Sequence, residues 1–411
     1  MKISASAISD RGLKRDGNED QYLIDESLGL YVVCDGMGGH SAGEVAAEKA
    51  IEFAAKHIAV NKEVLESARR KPGGYFRILK IAEEAVQSAC QEVHRLSKSI
   101  PEYAGMGTTL TMLLIVDDKA IMTHVGDSRL YLMRDGEIHQ LSVDHTLANE
   151  LFLSGGLTKE EADSSQYQNV LTRSIGPHEF VNVDTLLFDL LPNDRMLLCS
   201  DGLSNYFNDS TVVAEFLGKP KIVSSPDTFI EYAKESGGAD NITAIVVETL
   251  KDDAAVQASD SQQRMEILKQ NFLGRKLSVS RLMHLLTTSK MVQCVAGKVL
   301  VEMGGNCPGM YIIMQGAFRV VDEDIIEAEL APGDCYGEAT LIATANSPAS
   351  LIAKEPARVL LIERKKFDRL TRRMPRLGNA LLRNLSRHLS ERIVDAESAR
   401  PIQLDDTGPL E

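Results

Sequence analysis

The stretch VVCDGMGGHSAGEVAA, residues 32–47, combines the end of an apolar strand, a glycine-rich loop and the start of a helix. Its first residues are apolar and β-branched, which is typical of a buried strand, and the run ends at Asp35. Ser41-Ala-Gly-Glu44 then has the spacing of a capping box ahead of a helical apolar pattern over residues 41–59. Because a carboxylate at a strand end projects out of the core, Asp35 is a candidate functional residue.

Acidic residues lie at strand ends in several other places along residues 1–250. Asp201 follows the apolar run of LLCSDG, Asp240 precedes the strand-like ITAIVVE, and Asp127 lies in the turn HVGDSR. Glu19, in RDGNEDQ, is a further candidate. A single Asp-Gly pair is usually a turn, but the recurrence of the pattern predicts that these carboxylates form one cluster. Such a cluster is unstable unless cations neutralise it, and Mg²⁺ or Mn²⁺ suits oxygen ligands without His or Cys.

Length and composition exclude several classes of protein. The chain has 411 residues and 45.0 kDa, which allows about two or three domains. With 44% hydrophobic and 25% charged residues, the composition is that of a folded globular protein. The net charge of −14 disfavours nucleic acid as a partner, and no apolar run approaches the ~18 residues of a membrane helix. Six cysteines without a CxxC pair, and an N-terminus without a secretory pattern, predict a cytoplasmic protein.

Apolar periodicity divides the chain into two folded parts and a connection. Residues 1–250 contain short runs rich in Val, Ile and Leu that predict strands, together with two helical patterns. Residues 251–262 are small and polar and have no period, which predicts a linker. Residues 263–411 then form a second predicted domain.

The second domain has its own sequence of elements. Residues 263–289 and 366–393 have helical patterns, and glycine-punctuated strand-like runs lie between them. MYIIMQGAFRVV, residues 310–321, predicts a hairpin that turns at Gln315-Gly316. APGDCYGEATL, residues 331–341, places two turns before a short helical segment, whose first N–H groups can bind an anion.

As a set and in their order, the motifs of residues 1–250 resemble the metal-dependent serine/threonine protein phosphatases of the protein phosphatase 2C type, in their bacterial form. The matching stretches are SDRGLKRDGNEDQ (9–21), VVCDGMGGHSAGEVAA (32–47), GMGTTL (105–110), HVGDSRLYL (124–132), LSVDHT (141–146), NVLTRSIG (169–176), LLCSDGLSNYF (197–207) and GADNITAIVV (238–247). The resemblance implies an α+β fold, an α/β/β/α sandwich of two antiparallel sheets with flanking helices. Residues 144–175 resemble the family's flap, which lies beside the active site and helps to select protein substrates.

The resemblance also implies a role for each acidic residue. Asp35 would bridge two Mn²⁺ or Mg²⁺ ions. The backbone carbonyl of Gly36 and the carboxylate of Glu19 would hold one of these ions. Asp201 and Asp240 would hold the other.

Further residues complete the implied site. Asp127 would help to bind a third, weaker ion, and Arg15 would grip the substrate phosphate because a planar guanidinium can pair with two phosphate oxygens. Two close cations lower the pKa of a bridging water, so the predicted reaction is in-line attack of hydroxide on phosphorus. Met37 occupies the place where some eukaryotic relatives carry a general-acid His, so metal-bound water or another group must protonate the leaving alkoxide. His40 is expected either to contact the site or to position its loop.

The second domain resembles the cyclic-nucleotide-binding domain, a β-roll with flanking helices, through VAGKVLVEMGGNCPGMYIIMQGAFRVV and LAPGDCYGEATL. Glu338 matches the residue that contacts the ribose hydroxyl in binding members. Their phosphate-binding Arg has Ser347 in its place here, and no Lys or Arg occurs between Gly333 and Ala353. Cyclic-nucleotide binding is therefore not expected. The alternatives are homodimerisation, contact with the phosphatase domain, or recognition of another ligand.

The predicted function is thus that of a cytoplasmic phosphoprotein phosphatase with a regulatory β-roll. Its substrate would be a phosphorylated protein, with no nucleic acid or membrane as partner. Two other functions remain open on the sequence. One is an inactive phosphatase-like signalling scaffold, and the other is a hydrolase of small phosphoesters.

Overall fold

The computed structural model describes residues 2–38, 42–68, 71, 73–207, 210–220, 225–250, 255–323, 325–344 and 346–398. The chain forms two compact units, Met1–Ala258 and Ser259–Glu411. Each unit has its own sheets and its own apolar core. Within the described ranges, no helix is both long and apolar enough to cross a membrane.

The first unit is built on two antiparallel sheets. Its strands are β1 (Lys2–Asp10), β2 (Asp20–Asp25), β3 (Leu30–Met37), β4 (Gly107–Thr108), β5 (Leu110–Val116), β6 (Lys119–Val125), β7 (Arg129–Arg134), β8 (Glu137–Gln140), β9 (Asp184–Asp189), β10 (Arg195–Cys199) and β11 (Ile242–Leu250). One sheet has the order β1-β11-β10-β7-β8, and the other has the order β2-β3-β5-β6-β9 with β4 paired to β3. Neighbouring strands are antiparallel throughout.

The first unit also contains helices, several of which pack on the two sheets. They are α1 (Ala42–Val60), α2 (Lys62–Ala68), α3 (Gly74–Ser99), α4 (Leu147–Ser154), α5 (Lys159–Asp163), α6 (Asp201–Ser204), α7 (Ser210–Leu217) and α8 (Asp227–Glu235), with a 3₁₀ turn at Pro101–Tyr103. Alanines of α1 and α3, among them Ala46 and Ala85, are fully buried in the core with β3 and β5, where small side chains permit close packing. Leu203, Leu217 and Phe229 form the equivalent core under the other sheet. The predicted α/β/β/α sandwich is confirmed.

The paired hydrogen bonds of a capping box are present at one helix start in this unit, and one strand was not predicted. Thr158 begins α5 with a complete capping box, since its hydroxyl accepts from Glu161 N–H at 3.2 Å and its N–H donates to the Glu161 carboxylate at 2.7 Å. The capping box predicted at Ser41, and His40, lie outside the described residues. β1 was missed because its Ser- and Ala-rich sequence has no strong apolar signal. It forms an edge strand through pairing with β11 along its whole length.

The second unit is a β-roll of two four-stranded antiparallel sheets. Its strands are β12 (Ser289–Cys294), β13 (Val299–Val301), β14 (Gly309–Gln315), β15 (Phe318–Asp322), β16 (Ile325–Leu330), β17 (Cys335–Tyr336), β18 (Ser350–Ala353) and β19 (Ala357–Glu363). The sheet orders are β12-β19-β14-β17 and β13-β18-β15-β16. α9 (Ala255–Gln270) leads into this unit, followed by α10 (Val279–Thr288), α11 (Arg364–Arg373) and α12 (Pro375–Ser398), with 3₁₀ turns at Phe272–Gly274 and Glu338–Leu341. This is the β-roll with flanking helices that was expected.

The predicted hairpin at Gln315-Gly316 is wrong. β14 pairs with β17 and β19, whereas β15 pairs with β16 and β18 in the other sheet. Gly316 has a φ of 80°, and a Cβ there would lie 2.8 Å from that of Ala357. The turn therefore carries the chain from one sheet to the other. Two apolar runs around a turn indicate a reversal of the chain but do not decide which strands pair.

The helices of this unit also differ from expectation. α9 begins at Ala255, inside the predicted linker, and the predicted helix 263–289 is divided by the 3₁₀ turn Phe272–Gly274. The final helical stretch is broken between α11 and α12 at Met374, which has φ −125° and ψ 75°. Pro375 explains this break, because proline disfavours helical conformation in the residue before it and lacks an N–H of its own.

Candidate active site

The central acidic residue, Asp35, is held by main-chain hydrogen bonds near the end of β3. Its N–H donates to Thr109 Oγ1 at 2.9 Å, and the next N–H, that of Gly36, donates to the Glu19 carbonyl at 3.2 Å. Asp35 also lies opposite Asp20 in the antiparallel pairing of β3 with β2. The strand ladder therefore places three acidic residues at one edge of the sheet.

Two glycines allow Glu19 to approach the start of α1. A Cβ on Gly36 would lie 2.2 Å from the Gly43 carbonyl, and one on Gly43 would lie 2.6 Å from Glu19 Oε2. The Glu19 carboxylate is thus packed against the first turn of α1, where the free N–H groups of a helix favour negative charge. Any larger residue at either glycine would separate the helix from the acidic cluster.

Asp127 is positioned by the turn between β6 and β7. Gly126 has a φ of 110° and packs so tightly on Thr109 that an added Cβ would lie 2.6 Å from that side chain. The Ser128 hydroxyl is 2.7 Å from Thr109 Oγ1, the same atom that accepts from Asp35 N–H. Thr109 therefore links the strand end of Asp35 directly to the turn of Asp127.

Asp201 and Asp240 approach the cluster from the other sheet. Asp201 is the first residue of α6, directly after β10, and Asp240 lies just before β11. The Asp35 and Asp201 carboxylates lie close enough for each to shift the pKa of the other. Arg15 Nη2 donates to Asp240 Oδ2 at 2.7 Å, and its side chain is 53% exposed. The cleft at the sheet edges thus combines the acidic cluster with an accessible guanidinium.

The electrostatics show that these carboxylates are close enough to oppose one another's ionisation. Burial raises the pKa of Asp35 well above its usual value, and the negative charges of its acidic neighbours raise it further. Burial and the charge of Asp201 likewise raise the pKa of Asp127. Burial and the charge of Asp240 raise that of Asp201. Like charges in a partly buried site are the condition that a bound cation relieves.

Sequence reasoning missed Asp20, which is buried beside the cluster. Its Oδ2 accepts from the Ser200 and Thr243 hydroxyls, each at 2.7 Å, while its Oδ1 has no hydrogen-bond partner. Burial raises its pKa to about 7, although the two hydroxyl hydrogen bonds act in the opposite direction. The available signal was its position next to Glu19 in RDGNEDQ, but only the pairing of β2 with β3 places it opposite Asp35.

The donor set fits divalent cations by its chemistry. The predicted ligands are carboxylates together with one carbonyl, which are the ligands that Mg²⁺ and Mn²⁺ prefer. Asp20 Oδ1 adds a buried oxygen without a partner. Among the described side chains, no three His, Cys, Asp or Glu residues are grouped closely enough to enclose an ion as they are oriented. Side-chain rotations within the cluster would have to bring the oxygens round a common point.

A cavity of about 390 Å³ adjoins the cluster. Its lining includes Asp127 and Asp201 together with residues of α4 and α5, which belong to the segment that resembles the flap. Arg129 and Asp144, which also line it, are paired at 2.6 Å. The cysteines that precede Asp35 and Asp201, Cys34 and Cys199, are fully buried.

The second unit places Glu338 at the start of the 3₁₀ turn Glu338–Leu341. Its side chain is 6% exposed and forms an ion pair with Arg392 of α12. Ser347, in the place of the phosphate-binding Arg, is buried, and its hydroxyl is 2.6 Å from Tyr336 Oη and 2.8 Å from the Ala349 carbonyl. The carboxylate therefore faces an arginine of the same chain, and the serine hydroxyl is engaged internally.

Comparison with known proteins agrees with this geometry. The family model for protein phosphatase 2C matches residues 14–228, and the model for the cyclic nucleotide-binding domain matches residues 291–374. The chain belongs to the protein phosphatase 2C family. Phosphatases of this family are metal-dependent enzymes that act on phosphoserine and phosphothreonine, and the predicted assignment is confirmed at this level.

The alignments with named relatives cover the phosphatase unit. The chain is 34% identical over 256 residues to protein phosphatase PhpP of Streptococcus pneumoniae, an alignment that covers 61% of this chain and 100% of PhpP. It is 35% identical over 293 residues to serine/threonine protein phosphatase PstP of Mycobacterium tuberculosis, covering 66% of this chain and 54% of PstP. The solved catalytic domain of a PstP in complex with two manganese ions is 35% identical, with a TM-score of 0.52 over 61% of this chain and 99% of that domain.

Proposed function

We propose that the phosphatase unit hydrolyses phosphoserine and phosphothreonine in proteins with the acidic cluster as its metal centre. The observation that carries the proposal is the convergence of Asp35, Asp127 and Asp201 from separate strand ends. Asp201 raises the pKa of both Asp35 and Asp127, and Asp127 raises that of Asp35. Arg15 lies at the exposed side of the same cluster. Structural stability alone gives no reason to gather several carboxylates and one guanidinium in a cleft.

We assign the proposed ligands to individual ions in the way that the family resemblance implies. Glu19 and the Gly36 carbonyl serve one Mn²⁺ or Mg²⁺ ion, Asp201 and Asp240 serve the second, and Asp35 serves both. Asp127 helps to hold a third, weaker ion. When bound, the ions activate a water as the nucleophile and balance charge on the phosphoryl oxygens. The two manganese ions bound by the PstP catalytic domain support a centre of two ions.

The protein's own residues position the reacting groups. Arg15 pairs with Asp240 at 2.7 Å, and because its side chain is about half exposed it can turn to a phosphate that enters the cleft. Thr109 keeps Asp35 and the Asp127 turn at a constant separation through its shared hydroxyl. Met37 cannot supply a proton to the leaving alkoxide, so a water molecule or another group has that task.

Hydrolysis of phosphopeptides by the full chain tests the proposal. We expect Mn²⁺-dependent release of phosphate from phosphoserine and phosphothreonine peptides, and its loss in Asp35→Asn, which keeps the shape of the side chain but removes its charge. Higher kcat/KM for small phosphoesters than for phosphopeptides would favour the small-molecule alternative. Absence of all turnover in the wild type would favour the scaffold. Tight Mn²⁺ binding by calorimetry would show that the cluster is formed in either case.

We propose further that the β-roll regulates the phosphatase without binding a cyclic nucleotide. Two residues support the absence of cyclic-nucleotide binding. Ser347 supplies no positive charge, and Arg392 already pairs with Glu338. Phosphatase rates of the full chain and of a chain ending near Thr249 would reveal the regulation, with Mn²⁺ and candidate nucleotides present. We also propose that the chain forms a homodimer through the β-roll. Light scattering of the full chain at several concentrations tests this.

A further inference from the structure

A buried histidine, His145, connects the active-site turn to the segment that resembles the flap. It lies in the motif LSVDHT between β8 and α4, and it is 3% exposed. His145 is not among the residues that line the cavity, although Asp144 and Thr146 on either side of it are. Its ring packs 4.8 Å from the ring of His124, whose pKa burial lowers to about 3, so the neighbouring ring is neutral.

Polar contacts hold both ring nitrogens of His145. The Gly126 N–H donates to its Nδ1 at 3.1 Å, so Nδ1 carries no proton. Nε2 lies 3.2 Å from Asp184 Oδ2 and 3.1 Å from Arg173 Nη1, so it faces both an acceptor and a donor. Arg173 pairs with the other oxygen of Asp184 at 2.9 Å. Although burial acts in the opposite direction, these partners hold the pKa of Asp184 below its usual value.

The main chain of His145 contacts the same turn and the far end of the flap segment. Its N–H donates to the Gly126 carbonyl at 2.8 Å, and its carbonyl accepts from Thr172 N–H at 2.8 Å. The next residue, Thr146, begins α4 and accepts from Asn149 N–H at 3.3 Å. His145 lies at the first end of the flap segment. It is hydrogen-bonded both to Gly126, which directly precedes Asp127, and to Thr172 near the other end of the segment.

We infer that His145 is a positioning residue for the turn that carries Asp127. Its Nδ1 orients the Val125–Gly126 peptide, its own N–H holds the carbonyl of the Gly126–Asp127 peptide, and together they orient the Asp127 carboxylate relative to the metal centre and the flap segment. The inference rests on the proposed function for the role of Asp127. The inference adds that the acceptor at Nδ1 matters more to the turn than the contacts at Nε2. Loss of that acceptor leaves the Gly126 N–H buried without its partner, and the turn can then sample other orientations.

Three substitutions separate the two ring nitrogens. His145→Asn places an amide oxygen near the position of Nδ1, and so can accept from Gly126 N–H. His145→Gln reaches to the position of Nε2, and so can donate to Asp184 but leaves Gly126 without an acceptor. His145→Ala removes both contacts. A general effect on packing would make the two amide variants alike, whereas the inferred role makes them differ.

The first measurement is hydrogen exchange of the Gly126 amide in the full chain, which requires no enzymatic activity. We expect protection close to that of the wild type in His145→Asn. In the Gln and Ala variants we expect exchange faster on the order of tenfold, because a single buried hydrogen bond is lost. Equal exchange in the Asn and Gln variants would overturn the inference. If the Ala variant does not fold, the comparison of Asn with Gln still decides the outcome.

The second measurement is Mn²⁺ activation of phosphopeptide hydrolysis by the same proteins. The Gln variant should need on the order of tenfold more Mn²⁺ for half-maximal kcat, while calorimetry shows binding of the metal pair unchanged. The Asn variant should follow the wild-type curve. Identical activation curves for all variants would overturn the inference. An inactive wild type would instead contradict the proposed function, and the exchange result would still test the position of the turn.

Discussion

The ion pair in the β-roll permits a quantitative prediction, because its two partners are buried to different extents. Glu338 has a side chain that is 6% exposed, whereas that of Arg392 is 63% exposed. Replacing Arg392 by Ala leaves the carboxylate without this cation. Breaking a buried pair costs about 3–5 kcal/mol, and breaking an exposed one costs about 0–1 kcal/mol. Solvent around Arg392 therefore reduces the expected loss to about 1–2 kcal/mol.

The loss of stability in Arg392→Ala should be confined to the C-terminal part of α12. Closer to its N-terminus, Asn384 donates to the carbonyls of Leu273 and Arg275 at 3.1 and 2.8 Å. His388 stacks on Phe272 with ring centroids 3.8 Å apart. These contacts do not depend on Arg392. We therefore expect residues 389–398 to detach locally while the preceding turns remain docked.

Hydrogen exchange of the full chain, read by mass spectrometry, measures this local opening. A loss of about 1.4 kcal/mol corresponds to tenfold faster exchange in peptides covering residues 389–398 of Arg392→Ala. Alanine has the higher helix propensity, so a weaker helix cannot be the cause of such a change. Arg387→Ala, at an exposed position on the same helix, is the matched control and should leave exchange unchanged.

A double variant tests whether charge is the cause. Glu338→Gln removes the buried charge, so Arg392→Ala should cost less in that background than in the wild type. The reasoning is refuted if exchange over residues 389–398 is the same in Arg392→Ala as in the wild type. It is also refuted if the increase is unchanged in the Glu338→Gln background, because the loss would then arise from packing.

The remaining predictions concern the metal centre and the ligand of the β-roll. Excess EDTA should abolish phosphatase activity and added Mn²⁺ should restore it, because the proposed ligands are all oxygens; full turnover in EDTA would exclude the metal mechanism. Asp127→Ala should lower kcat more than it weakens binding of the metal pair, and calorimetry that shows loss of all metal binding would contradict this. Thr109→Val should cost about 1–3 kcal/mol in urea unfolding and also lower kcat, because Asp35 N–H and the Ser128 hydroxyl lose their shared partner; wild-type kcat would refute the positioning argument. Titration of the full chain with cAMP or cGMP should show no low-micromolar binding, since Ser347 supplies no charge to a phosphate.

Local sequence patterns identified much of the candidate site. Asp35, Asp127, Asp201 and Asp240 each follow or precede a short apolar run, and the structure has a strand at each of these places. The alternation of apolar runs and turns is a local property, and it predicts where a strand ends without knowledge of its neighbours. That is sufficient to predict carboxylates that project from sheet edges.

Pairing between distant segments decided the features that were missed. Asp20 is adjacent to Glu19 in sequence and shares its charge, yet it is buried against Ser200 and Thr243 from the opposite sheet. The wrong hairpin at Gly316 has the same origin, since the two strands on either side of the turn pair in different sheets.

By itself, the sequence determined the fold class, the acidic strand ends and the absence of a positive charge at Ser347, because each depends on residue types within a short window. Only the tertiary structure decided that His145 accepts from Gly126 N–H and that Arg392 pairs with Glu338. These contacts join residues that are 19 and more positions apart in the chain. Hydrogen bonds and ion pairs act over a few ångströms, so their partners are chosen by how strands and helices pack, which no local pattern records.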